Sequence, residues 1–222
     1  MTFYDTYLNP NVKYAMHAIS IDENRKDFAR VSWTPRNEKG ADGNEPLLIQ
    51  LWFAGNHSDV GGSYSENESR LSDIALDWMV ERASRAEFPI FVDPAYLRLF
   101  PSPLGMQHDE CKAGVPLLFG RRFEWPVGHR YIRHDAPVHP SVEKRIGLTG
   151  VLCYDIDQPY RPNGLRIHDK FEHLYSIIPP STCECDACRR VRGLEPLPTL
   201  WEKVKIQFRK GRDSIIELSK RS

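Results

Sequence analysis

The chain has 222 residues, 41% hydrophobic and 11% aromatic, with 30 Lys or Arg balanced by 30 Asp or Glu. That composition suits one globular core with room for an appendage and excludes a fibre or an overall disordered chain. No apolar run approaches the ~20 residues of a membrane-spanning helix, and the N-terminus lacks the basic flank and apolar stretch of a signal peptide. A cytoplasmic protein is therefore the expectation, with export by a machine that reads no cleavable signal left open.

The zero net charge hides an asymmetry. Residues 189–222 hold ten Lys or Arg against four Asp or Glu, so a basic appendage follows a mildly acidic body. Nucleic-acid binding by the whole chain is not suggested. The division expected is a main domain over 1–180, followed by a cysteine-containing loop and a basic amphipathic helix over 181–222.

In chain order, Asn9-Pro10 reads as a helix start, with Val12, Ala15, Met16 and Ile19 on one face. Ser20 to Arg30 is strongly charged, and Arg36 to Glu45 reads as an exposed loop. Leu47 to Phe53 is a nearly continuous apolar run bounded by Pro46 and Gly55, which predicts a buried strand. From the Ser69 cap, Leu71, Ile74, Ala75, Trp78 and Met79 recur at helical spacing until Phe88-Pro89. Residues 89–140 give little periodicity and read as irregular. His139-Pro140-Ser141-Val142 opens a short helix that stops before Gly147. Strand, glycine-containing loop and amphipathic helix together indicate an α/β protein.

The most informative segment is Trp52-Phe53-Ala54-Gly55-Asn56-His57-Ser58-Asp59-Val60-Gly61-Gly62. Reactive groups in open α/β sheets collect in loops after the strands, and His57 stands four residues beyond Phe53. An imidazole with an ordinary pKa near ~6.5 takes up and returns a proton at neutral pH. Gly55, Gly61 and Gly62 leave the backbone free to fix its angle. A turn histidine satisfied by nearby backbone accounts for the same residue. Asp59 reads first as a turn cap, since two residues apart on a tight turn it and His57 face different ways. No G-x-S-x-G nucleophile elbow occurs in the 222 residues, and Gly61-Gly62-Ser63-Tyr64-Ser65 lacks its closing glycine.

The string from Gln50 to Ala83, with H-S-D-V-G-G followed by L-S-D-I-A-L-D-W-M-V-E-R-A, resembles an α/β-hydrolase-like domain shared with type VI secretion phospholipase effectors. His17 to Arg25, similar to that family's H-A-L-x-x-D-E-x-R, His139 to Val142, and Tyr160 to Leu165 extend the resemblance over about residues 3–175. It implies the C-terminal half of an α/β-hydrolase-like domain, an incomplete sheet with flanking helices, and a parent chemistry of lipid or carboxylic-ester hydrolysis through an acyl-serine. The family order is a serine in G-x-S-R-G, an aspartate in a W-D-T-V-like turn, then the histidine of H-S-D-V-G-G. Only the last has a match, His57, and Asp5 receives no role. The expected function is a fragment or remnant of such a hydrolase, contributing the catalytic histidine but no nucleophile and inactive alone. It would seek an N-terminal hydrolase half or self-associate, with a lipid or membrane surface as a further partner. The rivals are a non-catalytic interaction subunit and a zinc-stabilised binding module.

Cys183, Cys185 and Cys188 form C-x-C-x-x-C, three thiols able to share a zinc ion with Cys111, Cys153, His168 or His173 as fourth ligand. Reduced thiols in a loop are the other reading. His129, His134 and His139 recur every five residues, share no face of a helix or strand, and read as a polar loop. Trp201, Val204, Phe208, Ile215 and Leu218 mark the basic C-terminal helix, packed on the domain or lying on an anionic membrane.

Overall fold

A computed structural model describes residues 8, 12–26, 28, 33, 48–113, 115–116, 122–123, 125–154, 156–176, 178 and 186–195. Two strands run parallel at its centre, β1 (Ala15–Ser20) and β2 (Leu48–Phe53), in a register that sets Met16 beside Ile49 and Ser20 beside Phe53. The helix expected to begin at Asn9-Pro10 is corrected, because Ala15–Ser20 is a strand; Asn9 and Pro10 themselves lie outside the described residues. The i, i+3, i+4 spacing of Val12, Ala15, Met16 and Ile19 fits a helix only in isolation, and pairing with β2 overrides that local preference. Beside β2, Trp52 N–H donates to Pro137 O and His139 N–H to Trp52 O, which covers its second edge at Trp52. β1 has no second strand partner among the described residues.

Alternation along the two strands builds two cores. Met16, Ala18, Ile49, Leu51 and Phe53 face one side, where they meet Val60, Leu71, Ile74, Ala75 and Trp78. Ile19 and Trp52 face the other and join Ile132, Val142, Ile146, Leu165, Phe171 and Tyr175. β2 is therefore buried on both faces only at its last two residues, and half-buried before them.

After β2 come α1 (His57–Gly61) and α2 (Arg70–Ser84), which buries Leu71, Ile74, Ala75 and Trp78 against the first core. Full burial of such side chains stabilises by about 1.5–3 kcal/mol each. The Ser69 side chain caps nothing and instead donates to Glu66 O, at the end of a 3-10 turn over Glu66–Glu68. The stretch from 89 is irregular, with α3 (Glu110–Ala113), β3 (Val115–Pro116) and β4 (Arg122–Phe123) as short elements. α4 (Pro140–Ile146) begins at His139 as expected, and β5 (Val151–Cys153) pairs antiparallel with β6 (Ile156–Gln158). α5 (Asp186–Val191) follows two 3-10 turns at Asn163–Leu165 and Glu172–Tyr175. The result is a mixture of helices and small two-stranded sheets, α/β in kind with an incomplete central sheet. The loop at 36–45 and the basic segment from Trp201 lie outside the described residues.

Candidate functional site

β1 and β2 end together, and the chain leaves them through two turns that lie against each other. Asp22 N–H donates to Gly55 O (3.0 Å), and Gly55 N–H donates back to Asp22 Oδ2 (2.8 Å). Gly55 sits at φ +102°, and a Cβ there would stand 2.4 Å from Asp59 Cβ, so the turn requires glycine. Asn56 then caps α1. Its Oδ1 accepts from the N–H groups of Ser58 and Asp59, and Asp59 Oδ2 accepts from Asn56 N–H, a reciprocal capping box. Gly62 turns the chain out of α1 at φ +79°, whereas Gly61 is helical with open space around it.

This geometry sends His57 and Asp59 to different places. His57, the first residue of α1, keeps 48% of its side chain exposed and hydrogen-bonds through Nδ1 to Oε2 of Glu23. Glu23 is 1% exposed and is gripped by Arg25, whose Nε donates to Oε1 (2.9 Å) and Nη2 to Oε2 (2.8 Å). Burial works against the charge on Glu23, yet the hydrogen bonds from Arg25 and His57 prevail and bring its carboxyl down to about 2. Glu23 is thus an ionised acceptor at neutral pH. Arg25 Nη2 also comes within 2.8 Å of Nδ1, but a guanidinium only donates, so both groups converge on one carboxylate oxygen. Phe28 stacks on the imidazole (5.3 Å between centroids, 13°), and Arg25 lies over the same Phe28 ring at 3.7 Å. Nε2 of His57 has no hydrogen-bond partner among the described residues.

His57 borders a cavity of about 550 Å³ lined by Met16, Ala18, Val60, Ala75, Leu76 and Met79, with Arg130 at its polar side. The cavity touches every residue from Met16 to Ser20. Successive strand side chains point to opposite faces, so a space that meets all five reaches the edge of β1 that no described strand covers. Arg130 Nε donates to Glu23 O (3.1 Å), which ties this part of the lining to the carboxylate.

Asp59 points inward. Its carboxylate accepts from Asn56 N–H, His108 N–H (3.1 Å) and His108 Nδ1 (2.7 Å), and burial pushes its pKa up. The expected capping role is what the structure displays, with His108 as a partner that sequence spacing did not indicate. Behind both turns, Asp22 Oδ2 also accepts from Tyr160 O–H (2.7 Å). Burial pushes the Asp22 carboxyl up to about 6, against the pull of those two hydrogen bonds.

In the sequence His57 is marked by the H-S-D-V-G-G string and Glu23 stands in Asp22-Glu23-Asn24-Arg25, but nothing local says that the two side chains meet. The signal available was a carboxylate directly after a strand whose register ends level with His57. Reading Ala15–Ser20 as a helix removed that level.

Of the proposed metal ligands, Cys183 and Cys185 lie outside the described residues. Cys188 is buried, and its neighbours are Asn163, whose Nδ2 donates to Sγ (2.9 Å), and His129, with Nδ1 at 3.2 Å. Both nitrogens of His168 are engaged, Nε2 with Ala136 O and Nδ1 with Lys170 N–H. His173 is exposed, and Cys111 and Cys153 are half-buried. Among the described residues no three His, Cys, Asp or Glu side chains converge as a metal site. The three evenly spaced histidines part company: His129 faces Cys188, His134 faces Asp169 (3.2 Å), and His139 caps α4 while stacking on Phe53.

No solved structure matches the chain. An uncharacterized protein of Saccharomyces cerevisiae is 46% identical to it over 41 residues, which are 17% of this chain and 6% of that protein. Residues 1–82, the segment that carries both Glu23 and His57, match the family model for the catalytic domain of Tle1-like type VI secretion phospholipase effectors.

Proposed function

We propose that this chain carries the histidine–carboxylate part of a serine-type lipid or carboxylic-ester hydrolase, phospholipase-like and built on an α/β-hydrolase plan. His57 is its general base and Glu23 the carboxylate that orients it. The observation that carries the proposal is one imidazole with Nδ1 bonded to a buried, ionised carboxylate and Nε2 without a hydrogen-bond partner among the described residues, beside an apolar cavity. A base needs that division of labour. One nitrogen is fixed by an acceptor that offsets the positive charge the ring takes on, and the other is left to reach a hydroxyl.

In the reaction, a serine oxygen attacks the ester carbonyl as its proton passes to His57 Nε2. The same proton then leaves with the alcohol as the tetrahedral intermediate collapses to the acyl-serine. Water repeats the cycle to release the acid. The apolar cavity, about 550 Å³, is of a size to take an acyl chain. No G-x-S-x-G elbow occurs in these 222 residues, so the serine comes from a complementing segment or chain. The edge of β1 that no described strand covers, beside His57, is where such a segment would add to the sheet.

The test is hydrolysis of a fluorogenic ester and of phospholipid vesicles by the purified chain, alone and with a serine-bearing G-x-S-R-G half in equal amount. Activity only in the mixture, abolished by His57→Ala while association persists, is the expected result. No activity in either with the chain folded would leave an interaction subunit, and activity of the chain alone would place the nucleophile within it.

A further inference from the structure

The wall of the cavity beside His57 is apolar along most of its extent and carries a fixed charge at one place. Among the described residues that line it, Arg130 is the one with a permanently charged side chain, and none is a carboxylate. A guanidinium drawn into such surroundings is costly unless an acceptor offsets its charge. Arg130 is half-buried, its Nε donates to Glu23 O (3.1 Å), and burial pushes its pKa down. Its Nη1 is buried without a hydrogen-bond partner among the described residues.

The Glu23 carboxylate does not serve it. Oε1 accepts from the backbone N–H and the Nε of Arg25, and Oε2 accepts from Arg25 Nη2 and from His57. Two carboxylate oxygens offer about four acceptor sites, so Arg25 and His57 fill that group between them. Arg130 is left with the backbone carbonyl of the same residue and forms no ion pair among the described residues.

We infer that Arg130 is a specificity-determining residue that holds a phosphate group on the alcohol side of the ester whose acyl chain fills this cavity. The assignment rests on the hydrolase reading for the placement of the ester at His57. With the carbonyl there and the chain against Met16, Ala18, Leu76 and Met79, the acyl part has no second acid to offer, so an anion at Arg130 belongs to the alcohol. The planar guanidinium takes phosphate oxygens through paired N–H···O bonds, and a neutral glyceride would leave it without an acceptor. Glu23 sets the spacing, since its carboxylate holds His57 and its carbonyl holds Arg130. Base and anion site therefore stand about one side chain apart, as an ester and a phosphate do on one glycerol.

The first arm of the test needs no serine. Binding of octyl phosphate, 1-octanol and inorganic phosphate to the purified chain is measured by calorimetry, below the micelle concentration. Octyl phosphate should bind at least about tenfold more tightly than octanol or inorganic phosphate, the range of a charge-assisted hydrogen bond. Arg130→Gln should erase the preference over octanol, and Arg130→Lys, which keeps the charge without the fork, should retain part of it. Octyl phosphate no tighter than octanol on the wild type would overturn the assignment, as would a preference that survives in Arg130→Gln. Inorganic phosphate bound as tightly as octyl phosphate would mean a free-phosphate site and overturn it too.

The second arm compares kcat/KM of the complemented enzyme on octanoyl-glycerol phosphate and on monooctanoylglycerol. Arg130→Gln should lower the ratio of the two about tenfold or more, whatever loss the two substrates share through the Glu23 turn. A merely structural arginine would lower both rates and leave the ratio unchanged, which would overturn the specificity role. Preference for octyl phosphate without hydrolysis in the mixture would sink the hydrolase reading and keep the anion site. Equal hydrolysis of both esters would do the reverse.

Discussion

His57 and His108 each turn Nδ1 toward a buried carboxylate, Glu23 in one case and Asp59 in the other, and the two carboxylates flank the same pair of turns. The surroundings then diverge. His57 has nearly half its side chain exposed, an Nε2 with no hydrogen-bond partner among the described residues, and a cavity beside it. His108 is 12% exposed, lies flat against Tyr64 at 3.5 Å between centroids, and directs Nε2 toward Glu68 at 3.7 Å. Asp59 meanwhile serves two backbone N–H groups besides the imidazole, so its charge is spent on the turn. A carboxylate–imidazole contact is thus no sign of catalysis by itself. What distinguishes a base is the second nitrogen and what it can reach.

Removing each imidazole tests that distinction most strongly. In the complemented enzyme, His57→Ala should lower kcat by about 10⁴-fold or more with little change in KM or in melting temperature. His108→Ala should leave kcat per folded molecule within a few-fold and cost about 1–3 kcal/mol of stability, because it leaves Asp59 Oδ1 buried without its imidazole donor. A comparison of kcat and of urea midpoints for both variants checks this, and equal losses of kcat would erase the difference between the two pairs. Glu23→Gln should follow the first pattern, with kcat down about 10³-fold. An amide cannot accept from both sides of the Arg25 and His57 fork, so the ring loses its fixed orientation. Asp59→Asn should follow the second, with about 2–3 kcal/mol lost from the cap and its hydrogen bonds and kcat nearly kept.

The glycines of the motif sharpen the same contrast on a smaller scale. Gly55→Ala forces a methyl onto Asp59 at a positive φ and should cost about 2 kcal/mol or more, read from thermal unfolding. Gly61→Ala meets nothing within 4 Å on a helical backbone and should be neutral or stabilising by up to about 1 kcal/mol. Similar losses at both positions would mean that Gly61 also guards a close approach.

These residues also show what the sequence discloses and what it withholds. The strand at Leu48–Phe53, the helix from Arg70 and the short helix after His139 were legible because each rests on local signals: apolar runs, helical spacing and caps. Asp59 as a cap was legible for the same reason, since its partner is three residues away. Glu23 was not, because its meaning depends on β1 lying beside β2, a pairing between residues more than thirty apart that Ala15, Met16 and Ile19 obscure by fitting a helix equally well. His108 is unmarked on the same ground: its partner Asp59 is 49 residues distant, and neither motif nor period singles it out.

The smallest expected effect concerns the two adjacent carboxyls, Asp22 and Glu23, which should give stability opposite dependences on pH. Asp22 has its folded pKa raised from 3.8 to about 6, so its contribution is complete below 3.8 and lost as pH rises through 6. Glu23 is lowered from 4.5 to about 2, so its contribution is present above 4.5 and lost as pH falls toward 2. Asp22→Asn is nearly isosteric, and its amide oxygen can take the place of Oδ2, which alone accepts from Gly55 N–H and Tyr160 O–H. The variant should therefore fold, and its melting temperature should gain on the wild type steadily between pH 4 and 6. Glu23→Gln should instead lose ground to the wild type as pH rises from about 2 to 4.5. Melting curves across pH 2.5–7 decide the matter: parallel curves for wild type and Asp22→Asn would mean that this buried carboxyl titrates in the folded protein as it does in the unfolded chain.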